Sequence, residues 1–158
     1  MKKVICIVGL LLISTISWSQ SVQETIATFV IREASLNNED ITPIALDASQ
    51  YLVFYTIENE KETYLANVWK STDNQVYGKI YNVEVNEIEE TSTSYRSQEF
   101  TFSWRYAYDQ ENSTIKTANV YLSKIHKPNG ITFVMKIVDA DLDVFIYKGF
   151  MQGSFDIK

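Results

Sequence analysis

Phe100-Thr101-Phe102-Ser103-Trp104-Arg105-Tyr106-Ala107-Tyr108 decides how this chain folds. Rings stand at every second position, with small, polar or charged residues between them. An extended strand sends successive side chains to opposite faces, so five rings share one face and Thr101, Ser103, Arg105 and Ala107 share the other. That is the pattern of an antiparallel sheet with one face buried and one wet.

The flanking sequence keeps the same period. In Thr114 to Ile125, Ala118, Val120 and Leu122 alternate with Asn119, Tyr121 and Ser123. Lys127-Pro128-Asn129-Gly130 is a turn, because Pro128 pre-sets its own φ, Asn129 tolerates the next position and Gly130 supplies a left-handed exit. Ile131 to Val138, a turn at Asp139-Ala140-Asp141, and Leu142 to Phe150 follow. Towards the N-terminus, Val76 to Val85, Thr63 to Trp69 and Tyr51 to Ile57 read as strands. The last is apolar on both faces and so expected to be central or covered on both sides. Ile41 to Leu46 reads as a short strand that Pro43 confines to an edge or a bulge. Leu36 to Asp40 reads as a loop, and Val22 to Leu36 fits either a helical face or a strand, with its residue types favouring a strand. Glu87 to Ser94 is the longest low-complexity stretch and is expected to be a mobile loop.

Short connections join antiparallel neighbours. The expectation is therefore an all-β fold, an antiparallel meander of about eight to nine strands closing into a small barrel or a two-layered sandwich.

The N-terminus sets the compartment. Met1-Lys2-Lys3 is positive, Val4 to Ile13 is apolar, and Ser17 and Ser19 place small residues before Gln20. This is the three-part pattern of a secretory signal peptide over residues 1–19, leaving one β-rich domain over residues 20–158. The expected product is exported, periplasmic or secreted, with no transmembrane segment in the mature chain. Cys6 is the only cysteine and leaves with the signal, so neither a disulfide nor a thiolate metal site is expected. Loss of Lys2 and Lys3 takes the formal charge from −6 to −8. Nucleic acid and anionic lipid both need neutralising cations, so neither is an expected partner.

No catalytic set stands out. His126, the only histidine, adjoins the Lys127-Pro128 turn, and no serine sits in a Gly-x-Ser-x-Gly elbow. Glu58, Glu60 and Glu62 read as a solvated hairpin tip, and Glu84, Glu87, Glu89 and Glu90 as an acidic edge and loop. Asp139, Asp141 and Asp143 are spaced like the start of a calcium loop. Val144, however, stands where that loop needs glycine, and Phe150 where it needs the closing glutamate. Asn112-Ser113-Thr114 matches a glycosylation sequon. The Gly-x-Trp opening typical of lipocalins, an architectural analogue, is absent.

Phe100, Phe102, Trp104, Tyr106 and Tyr108 are thus the candidate ligand-binding residues, with no metal, no cofactor and no catalytic residue assigned. The expected function is non-catalytic binding of a small apolar or aromatic ligand, or of a protein partner, through this face. The rivals are a structural or envelope-associated interaction module, an outer-membrane barrel and a carboxylate-based hydrolase.

Overall fold

The computed structural model describes residues 23–58, 60–90, 95–108 and 114–154. Residues 1–19, Asn112 and Ser113 of the sequon, and positions 91–94 lie outside these. The described residues form strands β1 (Gln23–Leu36), β2 (Glu39–Asp40), β3 (Gln50–Ile57), β4 (Thr63–Trp69), β5 (Asn74–Glu90), β6 (Tyr95–Tyr108), β7 (Lys116–Lys127), β8 (Gly130–Val138) and β9 (Val144–Gly153). One helix, α1 (Thr42–Asp47), and a 3-10 turn at Lys70–Thr72 accompany them. The hydrogen-bonded order is β2-β1-β3-β4-β5-β6-β7-β8-β9, all antiparallel, and β1 returns to pair with β9. The sheet therefore closes into an eight-stranded barrel, with β2 a two-residue tab on β1. Of the two architectures the sequence permits, the barrel is realised.

Eight strands leave an interior just wide enough for side chains to fill. Phe29, Leu52, Phe54, Leu65, Leu122 and Met135 are completely buried there, together with Phe100 and Phe102 of the ladder. Phe54 and Phe102 meet edge to face across the interior at 6.2 Å. Two glycines let the wall turn. A Cβ at Gly78 would lie 1.8 Å from the Arg105 carbonyl oxygen on β6, and one at Gly149 would lie 1.9 Å from that of Val30 on β1. Only glycine permits such close backbone passage inside a strand.

Local expectations are corrected at Ile41 to Leu46, at Glu87 to Glu90 and at Leu36 to Asp40. Ile41 to Leu46 is not an edge strand: α1 covers Thr42–Asp47, with Pro43 in its first turn, where a missing N–H costs nothing. The Asp40 carboxylate accepts from the Thr42 N–H at 2.9 Å, and Thr42 Oγ1 bonds the Ala34 backbone, docking the helix where β1 parts from β3. Glu87–Glu90 is strand rather than loop, continuing β5 in register from Glu87 opposite Gln98 to Glu90 opposite Tyr95. As for β3, of the two options its apolar faces allow, it is central, paired on one side with β1 and on the other with β4. On its outer face Tyr55 is buried by stacking on Tyr64 of the adjacent strand, at 5.5 Å. Leu36 to Asp40 also tightens beyond a loop, since Asn37 and Asn38 both take positive φ and fold β2 back on β1.

Candidate functional site

One end of the barrel is the mouth. Here β1, β4, β6 and β8 finish and β3, β5, β7 and β9 begin, and α1 lies across the β1–β3 corner. The aromatic ladder climbs β6 towards this end. Phe100 and Phe102 stay in the filled interior, while Trp104 and Tyr106 form the wall of a cavity of about 90 Å³ and Tyr108 stands 49% exposed at its rim. The ladder is thus split. Three of its five rings face the cavity, joined by Trp69, Phe145, Tyr147, Asn67 and Asp139.

Trp104 is held from two sides. Its indole stacks on Tyr106 with centroids 4.5 Å apart, and its Nε1–H donates to the Leu65 carbonyl at 3.0 Å. Leu65 belongs to β4, and β5 passes between at Gly78, which pairs with both Leu65 and Tyr106. Below the opening lies a buried polar group. Gln50 Nε2 donates to Asn67 Oδ1 at 2.9 Å and to the Tyr147 hydroxyl at 3.2 Å. Burial pushes the Tyr147 phenol up, partly offset by its hydrogen bonds to Gln50 and Asn67. Among the described residues no buried side-chain nitrogen or oxygen lacks a partner.

The rim is acidic. Asp139 Oδ1 accepts from the backbone N–H groups of Asp141 at 2.8 Å and Asp143 at 3.0 Å, closing the β8–β9 turn. Asp141 pairs with Lys116 at the start of β7, and Asp143 accepts from Asn37 Nδ2 at 2.7 Å. Each aspartate of the calcium-like spacing therefore has a structural partner, and no metal-holding group of three ligands occurs among the described residues. Burial, followed by the charge of Asp139, pushes the Tyr106 phenol up to about 12.

The other sequence candidates lie elsewhere. His126 is half-buried near the far end of β7. Glu60 and Glu62 accept from the Tyr64 hydroxyl, Glu62 pairs with Lys79, and Glu87 accepts from Gln98 at 3.2 Å. A larger depression, about 1090 Å³, runs over the outer wall of β1, β3, β4 and β5, but it is open to solvent along a floor of Val53 and Ala66. The mouth cavity is smaller yet better built, combining enclosing rings, a buried amide pair and a perturbed phenol.

Asn67, Trp69, Phe145 and Tyr147 are not among the sequence candidates, and Asp139 enters there only through its calcium-like spacing. The signal for Phe145 and Tyr147 was their own alternation in β9, but which strands meet across the interior is a property of closure. Comparison with protein-family models, with curated proteins and with solved structures finds no match.

Proposed function

We propose that this protein is an exported, non-catalytic β-barrel that holds a small apolar or aromatic ligand, or one end of a larger one, in the mouth beside Trp104. The cavity walled by Trp104 and Tyr106 carries the reading. Its size decides the scale of the occupant. About 90 Å³ is roughly the share of three liquid waters and below the roughly 300 Å³ where drug-sized pockets begin, so a headgroup fits and a whole lipid does not. Export rests on residues 1–19, whose positive start, apolar run and small-residue end follow the signal pattern.

The polarity of the wall supports a barrel that works in water. Ser103, Arg105, Asn119, Tyr121, Lys136 and Lys148, half-buried or exposed, alternate along β6 to β9 with the buried apolar residues that fill the interior. A membrane-spanning barrel needs the reverse.

The test uses fluorescence. Once residues 1–19 are removed, Trp69 and Trp104 are the only tryptophans, and both line the cavity. Titration of the processed protein with indole or benzyl alcohol is expected to change emission saturably. Tyr108→Ala should weaken binding about threefold to tenfold, the worth of one aromatic contact. Trp104 is a poor position to truncate, because at 3% exposure it also holds the wall. Flat emission to millimolar ligand would end this reading.

A second reading, a protein-interaction module, is favoured by the exposed apolar side chains on connections at the same end: Leu142, 77% exposed and held at φ 68°, with Ile44 and Ile115. Sedimentation that shows association with rising concentration, lost in Leu142→Ser, would move the weight to it.

A further inference from the structure

We infer that the preferred occupant of the mouth is an organic cation, an alkylated ammonium headgroup, held by the rings of Trp69, Trp104, Tyr106 and Tyr108 and by the carboxylate of Asp139. This deepens the binding reading above and rests on it.

Three observations converge. First, the cavity is bordered by six aromatic side chains and a single charged one, Asp139. Ring faces carry negative potential and attract cations brought within about 6 Å, best of all when water is excluded. Second, both hydrogen bonds to the Asp139 carboxylate fall on Oδ1, leaving Oδ2 without a hydrogen bond among the described residues. A neutral occupant would strip water from that carboxylate and give nothing back, at the cost of an unpaired charge. A cation offsets the loss by pairing with it, and an anion adds repulsion. Third, the charge around the opening is unbalanced. Asp139, Asp141 and Asp143 share one turn, Lys116 is engaged by Asp141, and Lys70 and Asp73 on the β4–β5 connection add no net charge. The small volume points the same way, since a methylated ammonium group is compact and presents C–H surface to rings on all sides.

Choline and its uncharged isostere 3,3-dimethylbutan-1-ol separate the possibilities, read by the emission of Trp69 and Trp104 in the processed protein. Choline should bind at least about tenfold more tightly than the alcohol, and added salt should narrow the gap. Asp139→Asn removes the charge but keeps an oxygen for the two backbone N–H groups, so the turn survives. In it the preference should fall to within about threefold. Lys116→Gln supplies an independent check, because removing the nearby cation should tighten choline and leave the alcohol unchanged. If the alcohol binds as well as choline, or Lys116→Gln leaves choline binding unmoved, the cation inference is overturned while the binding site stands. If choline, the alcohol and indole all fail, the site itself falls.

Discussion

The two halves of β6 share one alternation and come to opposite ends. Phe100 and Phe102 face a filled interior and do nothing but pack, whereas two positions further on Trp104, Tyr106 and Tyr108 border a cavity. The residue types follow the difference. The lower ladder positions, Phe100 and Phe102, have no polar side-chain atom to satisfy. The upper half carries an N–H and two hydroxyls, and its opposite wall carries Gln50, Asn67, Tyr147 and Asp139. Polar tips on apolar bodies suit a boundary between packed interior and water.

The lower half should break first and hardest. Phe102→Ala deletes a ring that meets Phe54 edge to face in a closed interior, at a cost of about 3–5 kcal/mol by denaturant unfolding. That is a large share of the roughly 5–15 kcal/mol typical of a domain. Ligand affinity per folded molecule should hardly move. A cost below about 1 kcal/mol would mean that the lower half is no better packed than the mouth.

The amide group at the mouth comes next. Asn67→Leu takes from Gln50 the acceptor 2.9 Å away and leaves a buried donor half-served, for about 1–3 kcal/mol. Gln50→Leu, Asn67→Leu and Tyr147→Phe combined should cost less than their separate sum, because the three side chains are satisfied or orphaned together. Strict additivity would show that they do not act as a unit.

How much of this difference was legible beforehand follows from its physical origin. Period two is local, so the strands, the shared face of the five rings and the Pro128-Asn129 turn could be read directly. Closure is not local. Nothing in the ladder says that β9 returns to β1, and it is this return that brings Phe145 and Tyr147 opposite Trp104. Pro43 misleads for a related reason. As a strand residue it points to an edge and as a helix residue to a first turn, and the choice is made by Ala34 and Asp40, which receive Thr42. Glu87–Glu90 reads as loop because its composition is loop-like, while its pairing with β6 is regular. Likewise, the ladder alone cannot say where packing stops and the cavity begins.

The finest probe of that boundary leaves neutral pH untouched. Phe100 and Phe102 have nothing to titrate, but the Tyr106 phenol is pushed up to about 12 by burial and then by Asp139. The fold thus favours its neutral form. Tyr106 contributes its full stabilisation below the ordinary phenol value of 10, then loses it as the pH rises from 10 towards 12. Denaturant stability measured across that window should fall with pH, and less steeply in Tyr106→Phe. The slope should not vanish, because the Tyr147 phenol is also raised by burial. In folded protein, the absorbance of phenolate lost on going from wild type to Tyr106→Phe should appear late, near 12. Asp139→Asn should bring it forward, since that carboxylate is one of the groups opposing ionisation. A wild-type-minus-variant curve centred at 10 would place Tyr106 in open water and erase the distinction between the two halves of the strand.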